Sequence, residues 1–478
     1  MQIQKTICII CTFYIAASCT ICYICYNKKK SLSQGGVGTM AVKVVIIGGG
    51  SSYTPEIIEG LIQRQATFPV REIVLVDIEE GRDKLDIVGR LAERMIQKAG
   101  ADITLSWTLD RKAALVGADF VSTQIRVGGL KARALDERIP LKHGFIGQET
   151  NGAGGLFKAF RTIPVLVELA NDVAEICPAA WLVNFTNPAG IVTEAVLQHS
   201  AHKKVIGVCN IPFNMRNSVA EILDTPVERV AIEFIGLNHF VFGRHVWVDG
   251  VDRTDDVLAS LNAGTDYSPA NIVGLGWSES FLKSLRMLPN PYHQYYFQTA
   301  DVLAKDLAAY EQNGTRAEVV QQVEAQLFEK YKDVELDVKP VELEQRGGAY
   351  YSDAACNLMD SIYNDRGDIQ TVNTLNRGAI RDLPDDAVIE VNAVITKAGP
   401  RPISIGSLPL PIKGLITNLK TFEQLAIRAA MSGSYNDAYL ACLMNPLIQD
   451  EKKIDPLLRE LFDAHEAYLP QFKKEVYS

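Results

Sequence analysis

Residues Val42–Ile47 form a short β-branched run that passes directly into Gly48-Gly49-Gly50-Ser51-Ser52, and this junction limits the possible folds more than any other feature of the chain. Such a run suits a strand buried inside a parallel sheet. Glycine at 48 and 50 permits a tight turn and lets a pyrophosphate approach backbone N–H groups that a Cβ would screen. Pro55–Gln65 then carries apolar residues at helical spacing, with its N-terminus facing the phosphate. A second strand, Glu72–Asp77, ends about 27 residues after the turn in a carboxylate placed to accept the ribose hydroxyls of NAD and to repel the extra phosphate of NADP. Strand, glycine turn, helix, strand and terminal aspartate predict a dinucleotide-binding unit, with Gly48, Gly49, Gly50, Ser51, Ser52 and Asp77 around the cofactor.

The alternation continues through a helix at Arg82–Ala99, strands at Phe120–Ile125, Ala179–Phe185 and Val205–Val208, and a helix at Phe160–Ile176. Residues 40–235 therefore read as a doubly wound, Rossmann-like α/β domain. From Gly236 the segments lengthen, with an amphipathic helix at Arg316–Tyr331 and a helical stretch at Thr421–Met444 interrupted near Gly433. Ala387–Ile395 reads as a strand and Gly399–Pro402 as a turn. Residues 236–478 are expected to form a mixed, mainly α-helical domain that closes over the first and supplies a homodimer or homotetramer contact, as in the lactate/malate dehydrogenase-like superfamily.

Composition narrows the function. With 48 Lys plus Arg against 57 Asp plus Glu the chain is acidic, and no basic stripe marks a nucleic-acid partner. Of the cysteines, Cys177, Cys209, Cys356 and Cys442 are scattered over the body, which is no disulfide framework and suits the cytoplasm. Thr6–Tyr26 is almost wholly apolar and is followed by Lys28–Lys30. It reads either as a membrane anchor or as part of a non-native extension, residues 1–39, ahead of a protein that starts at Met40. The second reading is favoured because Met40 opens the first strand, and without residues 1–39 no stable membrane association is expected.

Open α/β sheets bind ligands beyond the carboxyl ends of their strands. Four polar turns fall there: Arg126-Val-Gly-Gly129, Asn184-Phe-Thr-Asn187-Pro-Ala-Gly190, Cys209-Asn210-Ile-Pro212, and Gly236-Leu-Asn238-His239. Cys209 and His239 are either a soft and borderline ligand pair for a divalent ion or a buried small hydrophobe and a core histidine. Arg126 is either an ion-pair partner or an anion contact. These residues alone point to an NAD-linked oxidoreductase, with or without a metal.

The body also resembles the NAD- and divalent-metal-dependent glycoside hydrolases of family 4, in their 6-phospho-β-glucosidase branch. The match is carried by Gly48–Pro55, Gln124–Gly129, Phe185–Gly190, Cys209–Pro212, Gly236–His239, Asn290-Pro-Tyr-His-Gln-Tyr-Tyr296 and Arg346-Gly-Gly-Ala-Tyr-Tyr-Ser352. The resemblance implies Cys209 and His239 as ligands of an Mn²⁺-like ion, Tyr292 as catalytic base with Tyr295 as the alternative, and Arg126, Asn187, Asn210 and Arg316 on the substrate. It implies a phosphorylated disaccharide or other β-glucoside as substrate. The reaction would oxidise C3 with NAD, remove the C2 proton, eliminate the C1 substituent, add water and re-reduce C3, unlike a two-carboxylate displacement. The α-glycoside branch has Cys-Asp where this chain has Cys209-Asn210, which favours β-glycosides and leaves no evident general acid. Two other functions compete: a 2-hydroxy-acid dehydrogenase, which would form net NADH without a metal, and a non-enzymatic sugar-phosphate sensor tethered through residues 6–30.

Overall fold

The computed structural model describes residues 41–268, 272, 274–346 and 351–473. The expected extension at residues 1–39 therefore lies outside the described residues, as do residues 347–350 of the Arg346–Ser352 motif. Among the described residues no helix is long and apolar enough to cross a membrane.

Six short strands, β1 (Val42–Ile47), β2 (Val70–Val76), β3 (Thr104–Thr108), β4 (Phe120–Thr123), β5 (Trp181–Asn184) and β6 (Val205–Gly207), pair in parallel in the order 3-2-1-4-5-6. This is the doubly wound dinucleotide order, whose switch point falls between β1 and β4. Most of these strands are apolar on both faces because helices cover both, giving one core around Phe157, Phe160 and Phe462 and another around Ile57, Phe68 and Tyr331. β3 was not anticipated: its sequence, Thr104–Thr108, is polar and half-exposed because it is the edge strand.

From residue 230 onward six strands accompany the expected helices, and the expected strand at Ala387–Ile395 is among them. β7 (Val230–Leu237), β8 (Phe240–Val248) and β9 (Val251–Asp252) form a separate antiparallel sheet. β10 (Ile369–Leu375), β11 (Val388–Thr396) and β12 (Gly399–Pro402) extend the main sheet antiparallel beyond β6. Gly399–Pro402 is thus a strand, not a turn. Two prolines are tolerated because β12 is an outer edge where missing N–H donors cost no ladder bond. Trp181 packs where a Cβ on Gly399 would sit, at 2.3 Å. The helix at Arg316–Tyr331 has the expected bounds, and the break at Gly433 is a left-handed C-cap (φ +71°) between helices Leu410–Ser432 and Tyr435–Met444.

One buried ion cluster ties the last helix to the site-bearing half. Arg161, on helix Gly152–Ile176, donates two bonds to Asp136 of helix Gly129–Lys142 at 2.9 and 2.7 Å, and His465 at the end of helix Glu451–His465 lies 3.0 Å from the same carboxylate. Burial opposes the Asp136 charge, but Arg161 and His465 outweigh it and hold its pKa below the ordinary value. Asp136→Ala is expected to cost about 3–5 kcal/mol, because it strands the Arg161 cation in the core. The measurement is the urea midpoint; an unchanged midpoint would show that Arg161 is compensated elsewhere.

Candidate active site

The glycine turn lies at the β1/β4 switch point. The N–H groups of Gly48 and Gly49 both donate to Val76 O, at 2.9 and 2.8 Å, and Gln124 after β4 donates to Gly48 O at 3.2 Å. A Cβ on Gly48 (φ +86°) would lie 2.9 Å from Gln124 O, and one on Gly49 would lie 2.6 Å from Leu75 Cβ. These glycines are therefore required by the packing of the turn between three strands, a reason additional to ligand approach. Asp77 accepts from the Gly50 N–H at 2.8 Å and from the Ile78 N–H at 2.9 Å, so it braces the turn from the end of β2. Its remaining lone pairs are compatible with a ribose. The helix that follows, Thr54–Gln63, has no side-chain acceptor at its N-cap, Tyr53. Its first N–H groups are used within the turn, Thr54 donating to Ser51 O and Glu56 to Tyr53 O at 3.0 Å each, so what fits a dinucleotide pyrophosphate is the glycine turn at the switch point and the positive end of the helix dipole. Ser51 is half-buried, whereas Ser52 is buried beneath Tyr331.

Cys209 follows β6 and precedes helix Ile211–Ile222. His239 arrives differently from the other polar turns, at the tip of the β7–β8 hairpin. Leu237 pairs with Phe240, so Asn238 and His239 are the loop, and His239 takes a left-handed φ of +62°. That conformation is uncommon outside glycine and is held by its surroundings. Asn238 anchors the tip, accepting from Gly190 N–H at 3.3 Å and donating to Glu390 on β11 at 3.2 Å. The buried His239 ring stacks on Tyr292 with centroids 4.0 Å apart and planes 7° apart. Tyr292 is rigid because Pro291–His293 is a single turn of 3₁₀ helix capped by Asn290.

Tautomer and charge follow from these contacts. Thr150 Oγ1 donates to Gln148 Oε1 at 2.9 Å, so toward His239 Nδ1, 3.1 Å away, it accepts. Nδ1 then carries the proton and Nε2 keeps a lone pair for a metal. Burial, and next the Lys158 charge, push the His239 pKa down to about 3, while burial and Glu390 push the Cys209 thiol well up. Tyr292 is also raised, by burial first and then by Cys209 and Tyr295. Among the described residues no cluster of three or more His, Cys, Asp or Glu could hold a metal. A thiol and a correctly tautomerised imidazole nonetheless fit a borderline divalent ion whose other positions go to substrate and water.

A charged cluster adjoins this pair, and sequence reasoning missed its centre. Glu149, next to Thr150, is ion-paired with Arg126, with Arg133 at 3.0 Å and with Lys158 at 2.7 Å. Of the two readings left open for Arg126, the structure shows an ion pair, with the side chain only partly exposed. Arg133 also meets Glu137 at 2.7 Å, and Glu137 accepts from the Ala317 N–H at 2.8 Å, which brings the Arg316 end of its helix to the same cluster. Burial and Arg126 lower Lys158 to about 7 despite Glu149. The overlooked signal was a lysine and an arginine, 158 and 161, in the otherwise apolar opening turns Gly152–Arg161 of their helix. Asn187 lies at the β5 turn, its side chain accepting from the Ala189 N–H at 3.3 Å, and Asn210 opens the helix beside Cys209. Tyr295 is 5.9 Å from Tyr292 (ring centroids) and is not the ring stacked on His239.

Residues 43–225 match the model of the family 4 glycosyl hydrolases, and residues 234–448 match that of the family 4 glycosyl hydrolase C-terminal domain. The chain belongs to glycosyl hydrolase family 4. It is 55% identical over 439 residues to a probable 6-phospho-β-glucosidase of Bacillus subtilis (strain 168), covering 92% of this chain and 99% of that protein. It is 49% identical over 435 residues to the 6-phospho-β-glucosidase of Escherichia coli (strain K12), covering 90% and 97%. The structure of the 6-phospho-β-glucosidase of Thermotoga maritima with manganese, NAD⁺ and glucose 6-phosphate is similar with a TM-score of 0.81 and 34% identity, covering 89% of this chain and 99% of that one.

Replacing Thr150 by Val keeps the shape of the side chain but removes the acceptor that fixes the His239 tautomer. Mn²⁺ affinity is expected to fall about 10–100-fold, measured by calorimetric titration, as for other groups that orient a metal-binding histidine. An unaltered affinity would reject the tautomer assignment.

Proposed function

We propose that this protein hydrolyses 6-phospho-β-glucosides to glucose 6-phosphate and an alcohol or sugar, using NAD and a divalent cation such as Mn²⁺. The observation that carries the reading is the stacking of Tyr292 on His239 beside Cys209, within a fold that also carries the dinucleotide turn. The near full-length similarity to 6-phospho-β-glucosidases supports the substrate class. When bound, NAD⁺ supplies a hydride acceptor for the sugar C3, and a cation held by Cys209 and His239 supplies positive charge that acidifies C2 and the nearby phenol.

The chain's own residues then account for the rest. Tyr292, neutral when buried without a cation, is the base that takes the C2 proton as the C1–O bond breaks and a C1–C2 double bond forms; Tyr295 is its fallback. Water adds across that bond, the proton returns to C2, and the restored C3 alcohol leaves no net oxidation. Arg126, the most exposed of the cations around Glu149, is the proposed contact for the phosphate or a sugar hydroxyl, with Asn187, Asn210 and Arg316 as further proposed substrate contacts. Glycines 48–50, Ser51 and Asp77 receive the cofactor, with Ser52 supporting the turn from beneath.

The proposed division into nucleotide-binding and substrate domains lies near residue 235; the family models cover residues 43–225 and 234–448. A homodimer or homotetramer in the cytoplasm is the expected setting; Cys177, Cys209, Cys356 and Cys442 are all free thiols.

Two measurements test this reading. With NAD⁺ and Mn²⁺, nitrophenol should be released from 4-nitrophenyl-β-glucoside 6-phosphate but not from its α-anomer or the unphosphorylated glucoside; net NADH formation from a 2-hydroxy acid would instead mark a dehydrogenase. Tyr292→Phe should slow C2 deuterium exchange by about 10²–10⁴-fold while NAD⁺ affinity stays unchanged. Wild-type exchange in that variant would move the base to another residue.

A further inference from the structure

The Arg316–Tyr331 helix spans from the charged cluster to the glycine turn. At its start, Thr315 forms a reciprocal cap with Glu318, and the Ala317 N–H donates to Glu137. At its end, Tyr331 is fully buried, and its phenol donates to the carbonyl of Ser52, itself buried, at 2.8 Å. The backbone of the same residue is fixed from the opposite side. Arg94, on helix Arg82–Ala99, donates to Tyr331 O at 3.0 Å, to Asp333 O at 2.9 Å and to Leu336 O at 2.6 Å. Lys84 of that helix pairs with Glu324 and lies 5.0 Å from the centroid of the Phe328 ring. Tyr331 is therefore clamped at both ends, and the group it holds is a peptide of the turn.

We infer that Tyr331 is a positioning residue for the dinucleotide. The inference rests on the reading of Gly48–Ser52 as the cofactor turn. Gly48 and Gly49 are held by Val76 on one side, Gly50 by Asp77 on another, and the Tyr331 bond fixes the peptide between Ser52 and Tyr53, immediately before the start of the helix Thr54–Gln63. A turn whose peptide planes are set in advance spends no ordering entropy when the pyrophosphate arrives. Tyr331 need not touch the cofactor; it acts through Ser52.

The test is NAD⁺ affinity, measured by calorimetry on the full chain without metal or sugar. Tyr331→Phe keeps the ring and removes one O–H, and it should weaken NAD⁺ binding about 3–10-fold, the range for losing one buried hydrogen bond. At saturating NAD⁺ its kcat and its KM for the phosphoglucoside should match wild type. Tyr435→Phe is the control: it deletes another phenolic bond, to Asp455 at 2.5 Å, in the helices near the C-terminus. It should leave NAD⁺ affinity unchanged. Equal affinity of Tyr331→Phe and wild type would overturn the role of Tyr331. Equal weakening by both variants would overturn it too, as the sign of general loosening. Failure of the unaltered protein to bind NAD⁺ would overturn the cofactor reading itself and this inference with it.

Discussion

The partly buried Glu149 carboxylate is the constraint on which the site depends. Three cations reach it from three segments: Arg126 from the turn after β4, Arg133 from helix Gly129–Lys142, and Lys158 from helix Gly152–Ile176. A carboxylate at this depth would be protonated if left alone, and burial pushes that way. The cations outweigh burial and keep its pKa well below the ordinary carboxylate range. The geometry cannot relax without stranding a charge, which costs far more than a surface ion pair contributes. The next residue, Thr150, inherits that rigidity and passes it to the His239 tautomer.

This arrangement also explains why an ordinarily unfavourable backbone angle persists. His239 sits at φ +62° because Asn238 is bonded to Gly190 on one side and Glu390 on the other, while Tyr292 covers the ring. The hairpin tip is thus held by contacts from β11, from the turn after β5 and from the Asn290–Tyr296 segment. Each belongs to a different part of the chain, so the thiol, the imidazole and the phenol come together only once both halves are folded. Burial of these three groups strengthens the electrostatic interactions among them, and that favours the proposed chemistry, which generates charge at C2.

Much of this was legible in the sequence, for identifiable physical reasons. The β1 turn and Asp77 were readable because a parallel strand entering glycines has few alternative folds, and the Arg316–Tyr331 helix because its apolar spacing is unbroken. Tyr292, Cys209 and His239 were placed by resemblance, since no local spacing joins residues 209, 239 and 292. Glu149, Arg133 and Lys158 escaped because their meaning is purely tertiary: a charged residue inside a helix announces nothing until its partner from another helix is in view. The Gly399–Pro402 strand escaped because glycine and proline read locally as a turn, while the sheet edge and the Trp181 ring that decide otherwise are remote in sequence. The glycines of the turn were read from ligand approach alone, whereas Leu75 and Gln124 already forbid a side chain at positions 49 and 48.

Asn210 closes the argument about chemistry. It stands beside a thiol that burial and Glu390 already push toward its protonated form. A carboxylate at 210 would add a second nearby negative charge and make the thiolate harder to reach, although the helix that starts there would offset part of it. An amide adds none, so Cys209 can more readily lose its proton to solvent and bind a cation as the thiolate. The same amide can donate a hydrogen bond to a departing oxygen but cannot transfer a proton to it. In the proposed mechanism the burden of breaking the C1–O bond then shifts from protonation of the leaving group to electron push from C2, the step proposed for Tyr292. Ligand strength at 209 and the absence of an acid at 210 are two consequences of one neutral side chain.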